Sequence, residues 1–363
     1  MPPDSPHTEV MPRFLGSALF ARCLAAVGSC ALLGLAACGQ IGGVSEGDTG
    51  GMGGSSSTAG SGSGGTPQAV VLPPEPAFKV VGYQPSWAGS VLSLPYSQLN
   101  YVNYAFAIEK ADGSIGLPQG LVALVANAHP AGTRVLLSVG GWNNGDASAF
   151  VALSANPTAR AAFVAACLSA VDTYSLDGID IDWEFPSQAD APNFAAMMHD
   201  LSAALTAKGK ILTIAVSALE YGTEAITPEI FGYIDFANIM AYDGGGRDGS
   251  GHSPYSYAQS ALAFWLNTKH LPASKAVLGI PFYSRPGYIA YSAIVKMSAN
   301  AMNTDTITTS TAVEYYNGIP TVQQKTALAM TMGGGVMAWD LSQDTHDADS
   351  LLSAMVTRSK QAP

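Results

Sequence analysis

Residues 176–186, LDGIDIDWEFP, place an acidic residue at every second position of a predicted β-strand. Side chains of a strand point alternately to its two faces, so the carboxylates share one face and the apolar residues share the other. These two sets are Asp180, Asp182 and Glu184, and Ile179, Ile181 and Trp183. In a parallel sheet covered by helices, the apolar face packs against the helices. The three acids should therefore point inward.

Buried carboxylates are costly unless they share protons or hydrogen bonds, so we interpret this strand as the site of general acid–base catalysis. One alternative is a solvated face on an edge strand, but this strand falls in the middle of the strand order. Another alternative is a divalent metal site, for which we would expect histidine ligands nearby. The histidines stand singly, as expected of surface or packing positions, at His129, His199, His252, His270 and His346.

Short apolar runs alternate with helical patterns from about Lys79 onward. Eight such runs over this length predict an α/β fold, a (β/α)8 TIM barrel forming a single catalytic domain. A doubly wound open sheet is the structural alternative, although no Gly-rich phosphate loop follows any strand. The predicted strands are 80–84, 100–107, 134–140, 178–184, 211–218, 235–242, 276–282 and 335–339.

Three helices between these strands have clear sequence signals. Asn156 followed by Pro157 predicts a capped helix start, and residues 194–205 repeat an apolar face at helical spacing. Thr321 with Gln324 predicts a capping box before the last strand.

The first part of the chain has the pattern of an export signal. Arg13 and Arg22 precede an apolar run, Cys23–Ala37, whose end forms Leu-Ala-Ala-Cys with Cys38 and resembles a bacterial lipobox. We predict a lipoprotein signal peptide over 1–38 with Cys38 lipidated, a Gly/Ser/Pro-rich flexible tether over 39–77, and the catalytic domain over 78–363. Translation starting at Met11 is an alternative. The predicted location is the cell envelope of a bacterium, as an exported lipoprotein, or the medium.

Charge and cysteine content narrow the possible partners. The formal net charge of −11 argues against nucleic acid and against an anionic membrane surface, so any membrane contact should run through a lipid on Cys38. Only Cys167 remains in the predicted domain, and its neighbours place it in a helix core, without a disulfide. We expect a monomer that needs no cofactor or metal.

The Asp177-x-x-Asp180-x-Asp182-x-Glu184 pattern resembles the signature of glycoside hydrolase family 18, which contains chitinases and endo-β-N-acetylglucosaminidases. Further motifs similar to the family's follow in order, from about Lys79 to Leu352. They are VGYQPSW at 81–87, SVGGW at 138–142, MAYD at 240–243, GIPFYSR at 279–285 and GGVMAWD at 334–340. Ser284 stands where the family often has Gly.

The resemblance implies a chitinase that uses the substrate's own acetamido group as nucleophile. Glu184 would protonate the glycosidic oxygen, and Asp182 would orient and stabilise the acetamido group. Asp180 would share a proton with Asp182, with Tyr83 and Ser138 holding it.

Other residues of the matched motifs would contact substrate. Tyr242 would form a hydrogen bond with the acetamido oxygen, and Trp339 would form a floor under the distorted sugar. The remaining candidates are the polar lining residues Asp243 and Arg285, the motif residue Met240, and the mouth aromatics Trp87 and Trp142. Trp183 and Trp265 are expected in the core, and Asp177 in a structural role.

The interval between Arg285 and Gly333 is too short for the α+β module that many processive members insert there. This favours an open groove and endo attack. Alternatives are an endo-β-N-acetylglucosaminidase acting on N-glycans, or a peptidoglycan-directed relative. A non-catalytic chitin-binding lectin would lack the acid, which is intact here. A metal-dependent deacetylase would need histidine ligands that the sequence does not arrange.

Overall fold

A computed structural model of the 363-residue chain describes residues 72–246 and 248–362. The predicted signal peptide, Cys38 and most of the predicted tether lie outside the described residues.

Eight parallel strands close into a barrel. Neighbouring strands pair in the order β1-β11-β8-β7-β6-β5-β4-β2, and β1 also pairs with β2, which closes the ring. The (β/α)8 prediction is confirmed, and the open-sheet alternative is wrong. The barrel strands are β1 (Lys79–Pro85), β2 (Tyr101–Glu109), β4 (Arg134–Gly141), β5 (Gly178–Trp183), β6 (Ile211–Ser217), β7 (Phe236–Met240), β8 (Ala276–Pro281) and β11 (Gly335–Trp339).

Helices surround the barrel and cover its outer face. They are α1 (Leu121–Ala128), α2 (Ser148–Ala155), α3 (Pro157–Tyr174), α4 (Ala191–Thr206), α5 (Tyr255–Ala263), α6 (Tyr291–Ile294), α7 (Ile319–Met332) and α8 (Leu351–Ser359). Among the described residues, no single helix is long and apolar enough to cross a membrane. Helices α2 and α3 have the required length and composition only when taken together, and the pair is bent by 109°.

The apolar core has two separate parts. The larger lies between strands and helices and includes Ile179, Ile181 and Trp183, so the apolar face of β5 points outward as predicted. The smaller lies inside the barrel and includes Tyr83 and Phe236. The acids of β5 therefore enter the barrel interior, where side chains from several strands can meet them.

Local predictions were confirmed for two helices and wrong for a third. The Asn156 side chain accepts from Thr158 N at 2.9 Å and caps α3, and residues 194–205 bury the predicted face of α4. Thr321 is not a cap, because α7 begins at Ile319, where Pro320 suits the first turn. Thr321 Oγ1 instead donates to Asp305 Oδ2 at 2.5 Å.

Three short strands were not predicted. Strand β3 (Ile115–Gly116) adds an antiparallel edge to β2. Strands β9 (Thr306–Thr308) and β10 (Val313–Tyr315) form an antiparallel hairpin between α6 and α7. The interval from Arg285 to Gly333 thus holds this hairpin besides the helices.

The end of the barrel where the strands begin is closed by residues just ahead of β1. Tyr101 Oη donates to Glu75 Oε1 at 2.9 Å, and Arg134 Nη2 donates to Pro73 O at 2.5 Å. The Arg134 guanidinium also lies 5.7 Å over the Tyr101 ring. The last residues of the predicted tether are therefore bound to the barrel floor.

Candidate active site

The acidic strand ends at the carboxyl-end rim of the barrel, where enzymes of this architecture place their chemistry. Asp180 is fully buried, Asp182 is 3% exposed, and Glu184 lies just past the end of β5 with a partly exposed side chain. The three carboxylates thus run from the barrel interior to its mouth.

Asp180 is saturated with hydrogen bonds. Tyr83 Oη and Ser138 Oγ both donate to its Oδ2 at 2.7 Å, while Thr213 Oγ1 and Asn238 Nδ2 donate to Oδ1 at 2.5 and 3.3 Å. Burial raises the pKa of Asp180, and these donors oppose that effect. Thr213 and Asn238 were missed from the sequence.

Asp182 is the less satisfied of the two interior acids. Its Oδ1 is buried without a hydrogen-bond partner among the described residues, and no hydrogen bond there joins it to Asp180. Burial, followed by the charges of Glu184 and Asp180, raises the pKa of Asp182 well above its usual range. An orphaned carboxyl oxygen of this kind is a ready partner for a substrate N–H group.

Burial raises the pKa of Glu184 to about 7, and the charge of Asp243 adds to the effect. A carboxyl group with this pKa keeps its proton near neutral pH, as a general acid must. Tyr242, half-buried beside the acids, has its pKa raised far above the usual value by burial and then by Asp182 and Glu184. Its hydroxyl is therefore a neutral hydrogen-bond donor.

The two glycines of the 138–142 motif make room for this arrangement. A Cβ on Gly140 would lie 2.2 Å from the Asp182 carbonyl oxygen, and one on Gly141 would lie 2.6 Å from the Phe106 ring. Both have positive φ angles, of 114° and 95°, which glycine adopts without strain. The motif thus sets the backbone of the acidic strand and one aromatic wall.

Aromatic rings line one side of the mouth. The Trp339 ring stacks on Phe106 at 5.8 Å and meets Tyr83 edge-on at 5.6 Å, and Phe106 in turn lies 5.8 Å from Trp87. Trp87 and Trp142 are 63% and 54% exposed, so most of each ring is free to meet a ligand. Phe106 was missed, because its run reads as ordinary strand. Trp183 and Trp265 are buried in the core as predicted.

The loops after β7 and β8, which follow β11 in the barrel order, form a polar side of the mouth. Arg285 Nε lies 3.5 Å from Asp243 Oδ1, and His252 Nδ1 lies 3.2 Å from the same oxygen and accepts from Asp243 N at 3.1 Å. Burial alone would raise the pKa of Asp243, but the adjacent His252 ring and the charge of Arg285 hold it below the usual value. His252 is only 1% exposed, as expected of a packing histidine, and its contacts with Asp243 make it part of the site.

A buried lysine fastens the segment that carries His252. Lys325 Nζ, on α7, donates to Ser253 O, Ser253 Oγ and Asn317 Oδ1, each at 2.6 Å. Ser253 Oγ in turn donates to Ala241 O at 2.6 Å, inside the 240–243 motif. Three acceptors match the three donors of an ammonium group, so Lys325 ties helix α7 to the loop behind Tyr242 and Asp243.

Two further candidates occupy distinct positions. Met240 is partly buried in the interior cluster below Tyr242. Asp177 accepts from Val135 N at 2.8 Å and pairs with His129 Nε2 at 2.8 Å, at the start of β5 and away from the mouth. No group of three potential metal ligands converges within 72–246 and 248–362.

Comparison with known proteins agrees with this geometry. The family profile described as "Glycosyl hydrolases family 18" matches residues 79–344. The chain is 26% identical over 261 residues to "Probable chitinase 10" of Drosophila melanogaster, covering 61% of this chain and 11% of that protein. It is 33% identical over 168 residues to "Probable chitinase 2" of the same organism, covering 42% and 34%. The chain thus spans about a third or less of these relatives' length.

Among solved structures, the chitinase ChiB of Flavobacterium johnsoniae, described as GH18, superposes with a TM-score of 0.70 at 26% identity. The match covers 78% of this chain and 94% of that one. Because the family profile covers most of the chain, the conclusion is direct: this protein belongs to glycosyl hydrolases family 18.

Proposed function

We propose that the protein hydrolyses β-1,4-linked N-acetylglucosamine in chitin or chito-oligosaccharides. The observation that carries the proposal is Glu184, a carboxyl group at the barrel mouth with its pKa raised to about 7. It stands one strand repeat beyond Asp182, at a barrel mouth that also carries a row of aromatic rings suited to the apolar faces of sugars.

We further propose a retaining mechanism in which the substrate's acetamido oxygen is the nucleophile. Asp182, whose Oδ1 has no hydrogen-bond partner within 72–246 and 248–362, would accept the acetamido N–H, and Tyr242 would donate to the acetamido oxygen. Asp180, held in position by Tyr83 and Ser138, would set the electrostatic environment beneath Asp182 and Tyr242. Met240, Asp243, Arg285 and Trp339 would line the subsite of the sugar that is cleaved.

An endo mode is part of the proposal. Between β8 and β11 the described residues form short elements: helix α6, a 3-10 turn at Ala301–Asn303, the β9–β10 hairpin and helix α7. A low wall of this kind supports binding along a chain rather than threading from an end.

Assaying colloidal chitin, chitohexaose and an N-glycosylated protein side by side tests the substrate class. We expect release of short N-acetylated oligomers from the first two and no loss of glycan from the third. Release of intact glycans at comparable rates would instead identify an endo-β-N-acetylglucosaminidase. Binding of all chitin substrates without turnover would identify a lectin.

We also propose that Cys38 carries a lipid that anchors the protein in the cell envelope. The support is the lipobox-like Leu-Ala-Ala-Cys ending at Cys38. In a bacterial host, the full chain should partition with membranes, whereas Cys38→Ser should move most of it to the soluble or secreted fraction with kcat unchanged. Equal partitioning of the two forms, measured by immunoblot, would contradict lipidation.

A further inference from the structure

The loop that follows β8, residues 284–290, is held closed by its own hydrogen bonds. Ser284 N donates to Ile289 O at 2.9 Å, and Ile289 N donates back to Ser284 Oγ at 3.1 Å. Tyr283, just ahead of the loop, pairs with Ala290, its last residue, as an antiparallel bridge. We call residues 284–290 the β8 loop.

A buried carboxylate supports this loop from beneath. Glu314, on β10, is 1% exposed, and its Oε2 accepts from Ser284 Oγ at 2.7 Å and from Gly287 N at 2.8 Å. Arg285 and Tyr315 exchange backbone hydrogen bonds of 2.9 and 2.7 Å, which attaches the loop to the same hairpin. Ser284, the departure from the family's usual Gly, therefore donates to a carboxylate on a hairpin that the sequence did not predict.

The supported loop presents one aromatic ring at the mouth. Tyr288 is 53% exposed, stacks on Tyr283 at 6.0 Å with the planes 4° apart, and receives the Arg285 guanidinium 4.0 Å from its ring centre. Its φ of 54° is uncommon for a bulky residue and persists only where the surroundings fix it. An exposed ring held this rigidly loses little freedom when a ligand packs on it.

The position of this ring is continuous with the site. Arg285, under Tyr288, reaches Asp243, and Tyr283, beside it, lies 6.4 Å from the Tyr242 ring. Because β8 lies between β7 and β11 in the barrel, the β8 loop that carries Tyr288 stands between the Tyr242–Asp243 segment and Trp339, the near end of the Trp87–Phe106–Trp339 row.

We propose that Tyr288 is a sugar-binding residue that determines affinity for oligosaccharides of N-acetylglucosamine, and that Glu314 and Ser284 are the residues that position it. The proposal rests on the proposed function. Tyr288 would stack on the apolar face of a sugar unit, while Glu314 keeps the β8 loop raised as a short wall.

Kinetics on chitopentaose and chitohexaose test the role of the ring. Tyr288→Ala should raise KM about tenfold with kcat changed less than about twofold, because the lost contact acts equally on bound substrate and transition state. Tyr288→Phe should behave as wild type, since stacking does not need the hydroxyl. Glu314→Ala should also raise KM several-fold, whereas Glu314→Gln, which still accepts from Ser284 and Gly287, should have a smaller effect.

Binding of chitopentaose by calorimetry, in a Glu184→Gln background, gives a readout independent of turnover. Tyr288→Ala should weaken Kd by a similar factor of about ten. Tyr233→Ala is the matched control, because this tyrosine precedes β7 at the opposite end of the barrel and donates to Glu229 there. If the wild type is active and Tyr288→Ala leaves KM and Kd unchanged, the inference about Tyr288 is wrong while the proposed function stands. Wild type that neither binds nor cleaves the oligomers would overturn the proposed function with it.

Discussion

Replacing Glu184 by Gln should lower kcat on chitohexaose by a factor of about 10²–10⁴, with the fold intact. The amide keeps the shape of the side chain but has no acidic proton for the leaving oxygen. Nothing else at the mouth replaces this proton in the proposed scheme, because Asp182 lies deeper in the barrel and Asp243 has a lowered pKa. Initial rates by reducing-end detection, with melting temperature as the folding check, measure the effect.

Glu229→Gln is the control, since this carboxylate lies before β7 at the opposite end of the barrel and should leave kcat unchanged. The pH profile adds a second check on the same residue. Because the protonated form of Glu184 is the active one, wild-type kcat/KM should fall as pH rises through about 7. A Glu184→Gln enzyme with more than about a tenth of wild-type turnover would show that another group is the acid.

A tetramer of glucosamine without acetyl groups should be cleaved about a thousandfold more slowly than chitotetraose, or not at all. In the proposed mechanism the acetamido oxygen bonds to the anomeric carbon as the glycosidic bond breaks, and Glu184 gives its proton to the leaving oxygen. The five-membered ring formed in this way is an oxazolinium. Water then attacks its anomeric carbon and opens the ring, and the Glu184 carboxylate takes up the proton of that water. A free amine cannot form this ring, so the deacetylated tetramer should bind without turnover.

Proton NMR of the first product formed from chitotetraose should show the β-anomer, as two inversions at the same carbon require. Competition by the deacetylated tetramer in a chitotetraose assay separates loss of binding from loss of chemistry. A first-formed α-anomer, or comparable rates on the two tetramers, would refute the substrate-assisted route. The search for another carboxylate, acting as nucleophile or as the base that activates water, would then begin with Glu109, which is 7% exposed at the end of β2 and whose charge contributes to the raised pKa of Asp182.

The barrel was predictable because its signals are local. Each buried parallel strand is a short apolar run, and the alternation in residues 176–186 fixes which side of β5 faces inward. Glu184 directly follows β5, its acidic neighbours lie on β5, and the two glycines lie on the adjacent β4, so their positions along each strand follow from the alternation of strand residues.

The remaining site residues depend on register and on loops. Thr213 and Asn238 reach Asp180 because β6 and β7 are staggered as they are, and their only sequence signal is a polar residue within an apolar strand. His252 comes from the loop after β7 and Glu314 from the β9–β10 hairpin, and each contacts a residue in a loop at the barrel mouth. No periodicity in one sequence places such residues against a given strand.

The bonds that hold residues 73–75 to the barrel floor also decide where mechanical load enters the protein. Tension applied through the chain ahead of residue 72 reaches Pro73 and Glu75, and passes to Arg134 and Tyr101 at the starts of β4 and β2. From there it runs along the barrel wall, while Glu184 and the β8 loop stand at the far end. An enzyme that binds an insoluble polymer at its mouth while held from behind would thus be loaded along the barrel axis, from the floor through the strands to the mouth.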